Sequence, residues 1–242
     1  MNEDYMIPCG KCQGCLADKR RDWATRIYHE SRLHERNCFI TLTYETPPPS
    51  LHIDHVQTFL KRLRKNIKLR YFLCGEYGEK THRPHYHAVL FGTDLRGGEY
   101  DIDGRMYGSP LLDTTWGHGF ASVGTLTMSS ACYVAGYVQK KLDDPDTFTT
   151  MSRRPPIGYH WALHNQEMLQ RREKVVIEGR ELPIPKAYLE WYNCSKARPG
   201  RVDLDSVKAN RRATVTYFTP QEMRNKEKNH IARNALKSGE KI

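Results

Sequence analysis

Residues 83–91 read Arg-Pro-His-Tyr-His-Ala-Val-Leu-Phe, and they decide the fold because they combine a β-strand with two histidines at alternate positions. The apolar and aromatic content of residues 85–91 predicts a strand. Side chains at alternate strand positions share one face, so His85 and His87 can reach a single ion. Imidazole binds many divalent metals. From these two residues alone, a pair of half-exposed surface histidines without a ligand is the simpler interpretation.

A carboxylate on the preceding strand strengthens the metal hypothesis. A strand is predicted over residues 69–76, and the short loop from Tyr77 to Pro84 fits an antiparallel pair. The antiparallel return brings Glu76 close to the histidines, which makes Glu76 the predicted third ligand. Glu79 and His82 lie in the loop and are the alternative ligands.

The surrounding pattern predicts an α+β fold. Apolar spacing predicts helices over residues 15–36, 54–68 and about 128–142, and strands over 38–44 and 120–126. Residues 93–110 are rich in Gly, Asp and Pro and are predicted to form an exposed loop. We expect one domain over residues 1–142. Residues 143–242 form a C-terminal extension with a helix (161–172), a hairpin (174–182) and a basic tail.

The predicted helix over 128–142 contains Tyr133-Val-Ala-Gly-Tyr137-Val-Gln-Lys140-Lys141. At about 100° per residue, its alanine, valine and leucine side chains fall on one side, and the tyrosines and lysines fall on nearly the opposite side. A tyrosine oxygen can attack phosphorus, and an ammonium group can stabilise the resulting charge. We therefore predict four catalytic residues on a non-core face: Tyr133, Tyr137, Lys140 and Lys141. Two ordinary core tyrosines are the alternative.

Three of the seven cysteines are crowded into one short segment, Cys9-x-x-Cys12-x-x-Cys15. A chain without a secretory apolar core favours reduced thiols or a metal over disulfides. The three thiolates are a possible structural zinc site, with a fourth ligand from Cys38, another cysteine or a histidine. A reduced, buried turn is the alternative.

The charge of the chain favours a polyanionic partner. Lys and Arg total 38 against 28 Asp and Glu, a net charge of +10, and nucleic acid is the common partner of such a surplus. From Lys196 onward we count 12 basic and 5 acidic residues, a local excess of 7. Four basic residues of the helix over 54–68 are predicted to hold DNA phosphates, with a solvated helix face as the alternative: Lys61, Arg62, Arg64 and Lys65.

Taken in order, these segments resemble a known family. The strand Phe39-Ile-Thr-Leu-Thr-Tyr44, the GEYGEK-x-x-RPHYH segment and the Tyr-x-x-x-Tyr-x-x-Lys helix resemble the HUH replication initiators of small circular single-stranded DNA replicons. The two-tyrosine helix narrows the likeness to the phage type. The opening Pro8-Cys-Gly-Lys-Cys-Gln-Gly-Cys15, followed by a basic helix, is similar to the initiators of gokushoviruses, bacteriophages of the Microviridae. The resemblance covers about residues 8–142.

The resemblance implies a fold and an activity. It implies an antiparallel sheet flanked by helices, with His85 and His87 binding Mg²⁺ or Mn²⁺. Members nick single-stranded DNA, remain linked to the 5′-phosphate through tyrosine and leave a 3′-hydroxyl that starts rolling-circle replication. A second tyrosine one turn away releases and rejoins the product. The implied partners are origin DNA and the host replication machinery.

Several further expectations concern partners and location. No G-x-x-x-x-G-K-[ST] loop occurs in the sequence, so strand separation is assigned to a host helicase. No small-molecule cofactor is expected. With no apolar run near the ~20 residues that span a bilayer, no membrane contact is expected, and the predicted location is the cytoplasm of the bacterial host.

Two other functions compete with the nickase. A transposase or mobilisation relaxase would use the same chemistry, but the paired tyrosines and the lack of extra domains disfavour it. A non-catalytic nucleic-acid-binding module would use the sheet face, the basic helix and the tail, with Tyr71 and Tyr86 stacking on bases. Such a module has no need of a metal pair beside tyrosines and lysines.

Overall fold

We analysed a computed structural model of the chain. The structure describes residues 9–78, 81–96, 100–101, 106–140, 146–172 and 174–194, together with part of 221–232. The described residues of 221–232 are helical. The predicted basic tail from Lys196 lies otherwise outside the described residues.

Helices and strands alternate along the chain. The first half contains α1 (Gln13–Ser31), β1 (Asn37–Tyr44), α2 (Ile53–Leu63), β2 (Arg70–Tyr77), β3 (Pro84–Phe91), β4 (Tyr100–Asp101), β5 (Met106–Gly108) and α3 (Pro110–Trp116). The second half contains β6 (Gly119–Thr125), α4 (Met128–Lys140), β7 (Phe148–Met151), α5 (Tyr159–His164), α6 (Gln166–Arg171), β8 (Lys174–Ile177), β9 (Arg180–Pro183) and α7 (Lys186–Cys194).

Seven strands form one antiparallel sheet in the order β4-β5-β6-β1-β3-β2-β7, and β8 and β9 form a separate hairpin. The predicted α+β fold with a helix-flanked antiparallel sheet is therefore confirmed. The centre of the sheet is β1-β3-β2, and its register aligns His85 with Thr43 and Glu76, and His87 with Thr41 and Cys74.

Each face of the sheet is covered by its own apolar cluster. On one face, β-strand residues such as Ile40, Leu42 and Leu90 pack with Phe59 of α2 and Trp116 of α3. On the other, strand residues such as Phe39, Phe72 and Val89 pack with Ile27 of α1 and Val134 of α4. Alternate residues of each strand therefore enter different cores, as the period of two requires.

Several element predictions were wrong in detail. The predicted loop over 93–110 contains β4 and β5, and the predicted helix over 161–172 is two helices, α5 and α6, that meet at Asn165. Sequence analysis missed α3, α7 and β7. The strand β7 lies in the segment interpreted as a linker, where pairing with β2 gives it its extended form.

Residues beyond 142 take part in the main body of the protein. In addition to β7 in the sheet, the ring of Trp161 stacks on His29 of α1 with centroids 3.4 Å apart, and the hydroxyl of Tyr188 lies 3.0 Å from His29 Nδ1. Burial lowers the pKa of His29 to about 3, so this histidine is a neutral packing residue. The domain boundary after residue 142 stays a prediction.

A buried ion pair joins α1, β2 and the C-terminal segment. Arg70 Nε donates to Glu30 Oε1 at 2.6 Å, and the Gly158 N–H donates to Glu30 Oε2 at 2.7 Å. Burial disfavours the Glu30 carboxylate, but hydrogen bonds from His34 and Gly158 and the charge of Arg70 hold its pKa below the usual value. The Arg70 guanidinium also donates to the Pro155 carbonyl at 2.8 Å.

Replacing Glu30 by alanine is expected to lower the free energy of unfolding by about 3 kcal/mol, because Arg70 would keep a part-buried charge without its partner. Urea unfolding measures the loss. The control is Glu167→Ala, whose side chain is 86% exposed and whose change should stay within about 0.5 kcal/mol. Equal losses from the two variants would contradict the assignment.

Candidate metal centre and nucleophiles

Three ligand side chains converge at one end of the sheet. Glu76 Oε1 lies 2.9 Å from His85 Nε2 and 3.2 Å from His87 Nε2. Glu76 is near the end of β2, directly opposite His85 in register, and only 3% exposed. The three residues predicted as metal ligands therefore form one group whose ligand atoms lie within 4.8 Å of one another.

Hydrogen bonds on the outer nitrogens orient both imidazoles. His85 Nδ1 lies 3.1 Å from the Arg83 carbonyl oxygen, which can only accept, so Nδ1 carries a proton. His87 Nδ1 lies 3.0 Å from the Thr41 hydroxyl. Such partners direct the other nitrogen, Nε2, at a metal. The Nε2 lone pair of a neutral His85 would face a carboxylate oxygen, and a cation between the two groups resolves this repulsion.

The spacing of the group suits one divalent ion. Adjacent ligands of an octahedral ion at ~2.1 Å are about 3.0 Å apart, and the two nitrogen–oxygen distances, 2.9 and 3.2 Å, are close to that value. The alternative ligand His82 lies in the β2–β3 turn with φ 50°, outside the group. Glu79 lies outside the described residues.

The first tyrosine is exposed beside the ligands. The hydroxyl of Tyr133 lies 3.4 Å from His87 Nε2, and 45% of Tyr133 is exposed to solvent. Its ring meets the His87 ring edge-on, with centroids 5.1 Å apart. A phosphate at the ligands would therefore be within reach of the Tyr133 oxygen.

The second tyrosine is buried against the same histidine. The Tyr137 ring stacks on His87 with centroids 5.5 Å apart and planes 11° apart, and Tyr137 is 8% exposed. Burial strongly raises its pKa, and Tyr133 and Glu76 raise it further. The expectation of a non-core face is therefore wrong for Tyr137.

The physical reason is that α4 is covered on two sides. Arg20 of α1 donates to the Cys132 carbonyl at 2.9 Å, and a Cβ on Gly136 would lie 3.4 Å from Arg20 Nε. The tyrosine side faces the sheet instead. A helical wheel with one apolar stripe assumes one buried side, and it therefore misassigned Tyr137. Lys140 ends α4 with its side chain outside the described part, and Lys141 lies wholly outside it, so their roles stay predictions.

The N-terminal cysteines also form a group. Their sulfur atoms lie within 4.8 Å of one another, and Cys9 Sγ and Cys15 Sγ are 4.0 Å apart. The backbone N–H groups of Lys11 and Cys12 lower the pKa of Cys9 to about 7, which favours a thiolate. Cys38 is not part of the group. It is fully buried among the residues that pack with α2, where burial raises its pKa to about 12.

The predicted phosphate-binding residues lie on the far side of the sheet. Lys61 and Arg62 are on α2, Arg64 and Lys65 follow its end, and all four are exposed. Two of them have local partners, because Arg62 donates to the Thr115 carbonyl and the Arg64 guanidinium lies 4.9 Å from the Tyr71 ring centre. The α2 helix packs on the face opposite His85 and His87.

Sequence analysis missed a further histidine group, although its His52-x-Asp54-His55 spacing was visible. The rings of His52 and His55 stack 4.6 Å apart, and His118 stacks on His55 at 4.2 Å. His55 Nδ1 lies 2.8 Å from the Tyr44 hydroxyl. These rings stack on one another and cap the apolar cluster on the α2 face. The role of Thr41 at His87 was also missed.

Comparisons with known proteins agree with the sheet and α4. Residues 37–142, from β1 to the tyrosine helix, match the model of the family of replication-associated protein ORF2. Replication-associated protein VP4 of Bdellovibrio phage phiMH2K is 34% identical, over 78% of this chain and 68% of the relative. Replication-associated protein ORF2 of Spiroplasma virus 4 is 31% identical, over 78% of this chain and 69% of the relative. The chain therefore belongs to this family of replication-associated proteins.

Within that family, its relatives are phage proteins. Replication-associated protein ORF4 of Chlamydia phage 1 is 30% identical, over 76% of this chain and 53% of the relative. The predicted likeness to replication proteins of small bacteriophages is thereby confirmed. No solved structure matches significantly. None of the helices in the described part of the chain has the length and apolar character needed to cross a bilayer.

Replacing Thr41 by valine is expected to weaken Mn²⁺ binding about tenfold, because His87 would lose the partner of its Nδ1. Titration calorimetry or the Mn²⁺ paramagnetic resonance signal measures the affinity. Thr43→Val is the matched control, since Thr43 lies on the same face and no described hydrogen bond joins it to either histidine. An unchanged affinity in Thr41→Val would contradict the orienting role.

Proposed function

We propose that this chain is a metal-dependent endonuclease of the HUH type that nicks single-stranded DNA at a replication origin. The observation that carries the proposal is the Tyr133 hydroxyl, exposed and 3.4 Å from the Nε2 atom that His87 shares with the metal group. A nucleophile and a cation site in contact are what phosphoryl transfer to a tyrosine requires. Membership of a family of replication-associated proteins supports a role for this chemistry in replication.

The ligand set fits Mg²⁺ or Mn²⁺. One buried carboxylate and two oriented imidazoles occupy one side of the ion and leave the other side for phosphate oxygens. When bound, the ion polarises the scissile phosphate and stabilises the charge of the transition state. Glu76, buried between the two histidines, supplies the negative charge that holds a divalent cation here.

Tyr133 is the first nucleophile. Its oxygen forms a bond to phosphorus while the bond between phosphorus and the 3′ oxygen breaks. The phenol proton is released, and the leaving 3′ oxygen takes up a proton to become a hydroxyl. The 5′-phosphate remains on Tyr133, and the free 3′-hydroxyl primes rolling-circle synthesis. Exposure allows Tyr133 to meet a DNA strand without rearrangement of α4.

Tyr137 serves the second transfer. Its ring lies 5.0 Å from that of Tyr133, so both reach the same phosphate site. Its burial and raised pKa keep it neutral while Tyr133 reacts. After one round of synthesis, Tyr137 attacks the regenerated origin, and the new 3′-hydroxyl displaces Tyr133 and rejoins the circle. Lys140 and Lys141, one turn further along α4, are assigned to the charge on the phosphate.

The basic residues bind DNA away from the site of cleavage. Lys61, Arg62, Arg64 and Lys65 hold phosphates of a strand that continues around the sheet edge to the α2 face. The basic tail from Lys196 adds affinity that does not depend on sequence. The partners are origin DNA, a host helicase and the host replication machinery, in the cytoplasm of the bacterial host.

The cysteine group holds a structural Zn²⁺. Thiolates on a tetrahedral zinc at ~2.3 Å are about 3.8 Å apart, close to the 4.0 Å between Cys9 Sγ and Cys15 Sγ. The Cys12 N–H donates to Cys9 Sγ at 3.2 Å, which stabilises the thiolate. The ion would fix the start of α1, whose Arg20 holds α4 through the Cys132 carbonyl.

Tyr133→Phe is expected to abolish the first cleavage, by more than about a thousandfold, because the attacking oxygen is lost. Labelled single-stranded fragments of the replicon that encodes the chain would be incubated with Mn²⁺ or EDTA and resolved under denaturing conditions. Tyr137→Phe should still give the protein-linked 5′ end but no rejoined product, and EDTA should prevent both.

The two single variants control for each other, and the double variant sets the background. Cleavage that Tyr133→Phe leaves intact and Tyr137→Phe removes would reverse the order of attack. Tight binding by wild type with no adduct on any fragment would contradict the nickase and favour the non-catalytic nucleic-acid-binding module.

Cys12→Ser is expected to lower the zinc content from about one ion per chain to well under half, since it removes one of three thiolates. Mass spectrometry of the metals in the purified protein measures it. Cys132→Ser is the control, because Cys132 lies on α4 and outside the group. Unchanged zinc in Cys12→Ser would remove the structural zinc from the account.

A further inference from the structure

An exposed aromatic ring lies in the same cross-strand row as the metal ligands. Register places Phe120 of β6 opposite Thr43 of β1, Thr43 opposite His85 of β3, and His85 opposite Glu76 of β2. Residues opposite each other in register project from the same face of a sheet. Phe120 therefore lies on the ligand face, two strands from His85.

Phe120 is 62% exposed, the largest exposed fraction among the large hydrophobic residues of the described chain. Its exposure follows from the sheet, because β5 pairs with β6 only as far as Ser122 and leaves Phe120 beyond the end of β5. A single exposed apolar residue is ordinary on a protein surface, so the placement carries the argument.

The placement distinguishes Phe120 from the other exposed hydrophobic residues. Ile53, Leu111, Val176 and Ile231 are aliphatic and cannot stack on a base, whereas Phe120 and Tyr133 are the two aromatic members of the exposed set in the described residues. Tyr133 is in contact with His87 on the ligand face. Both exposed aromatic rings thus lie on the ligand face.

The floor between Phe120 and the ligands is small and polar. The next residues of the same face are Thr43, Thr41 and Ser122, all half-buried. Strands are about 4.8 Å apart, so Phe120 and His85 are separated by about 10 Å, which is about two or three nucleotides of an extended strand. An open floor of this width admits a sugar–phosphate backbone.

We propose that Phe120 is a base-stacking subsite for single-stranded DNA, located two or three nucleotides from the phosphate at the metal ligands. The inference rests on the proposed nickase, for which it supplies the path of the substrate across β1 and β6. A phenyl ring has no hydrogen-bonding group, so the subsite accepts any base and positions the strand without reading its sequence. Stacking on aromatic side chains is tolerant of sequence for this reason.

The test compares two strands that differ only in their bases. One is a labelled twelve-nucleotide thymidine strand, and the other is an abasic deoxyribose-phosphate strand of equal length and charge. Phe120→Ala is expected to weaken binding of the thymidine strand about tenfold, measured by fluorescence anisotropy, and to leave binding of the abasic strand unchanged. Phe120→Trp should keep the affinity, and the thymidine strand should quench its added fluorescence beyond that of wild type.

Leu111→Ala is the matched control. Leu111 is 54% exposed, close to the exposure of Phe120, but belongs to α3 on the opposite face. This variant should bind both strands as wild type does. Equal effects of Phe120→Ala on the two strands, or no effect on either, would overturn the subsite.

The experiment uses binding alone, so its outcome is separate from cleavage. Loss of thymidine-strand affinity in Phe120→Ala together with no covalent adduct from wild type would support the subsite and remove the nickase. Adduct formation by wild type together with undisturbed binding in Phe120→Ala would leave the nickase standing and remove the subsite.

Discussion

The metal group depends on how Tyr86 is held inside the opposite core. Tyr86 lies between the two histidines on β3, is fully buried, and has its hydroxyl 2.8 Å from that of Tyr44 and 2.9 Å from the His52 backbone nitrogen. A shift of one residue in register would move every side chain of β3 to the other face. Burial of Tyr86 on the α2 face therefore keeps His85 and His87 on the α4 face, opposite Glu76.

The two faces of the sheet then have different roles. The α2 face is an apolar core that ends in stacked histidines and an exposed basic helix. The α4 face combines packing with chemistry, since Tyr137 is buried on His87 while Tyr133 remains open to solvent beside it. One residue of β3, His87, is thus in contact with the predicted ligand Glu76, both tyrosines and the orienting Thr41.

Local pattern predicted the parts of the structure that local chemistry determines. The alternation in residues 85–91, the antiparallel return and the position of Glu76 are properties of neighbouring residues, and the structure brings Glu76, His85 and His87 together as expected. The burial of Tyr137, the strand β7 and the exclusion of Cys38 from the cysteine group depend on partners far away in sequence. The helical wheel, the Pro-rich flanks of β7 and the cysteine count contain no information on those partners.

Identification of the residue that becomes linked to DNA tests the account most directly. Wild-type protein would be incubated with single-stranded origin DNA and Mn²⁺, digested with nuclease and protease, and analysed by peptide mass spectrometry. The account predicts a nucleotide joined through its 5′-phosphate to Tyr133 in the first turnover. A nucleotide on a residue other than Tyr133 or Tyr137, or none on any peptide while the DNA is cut, would contradict it.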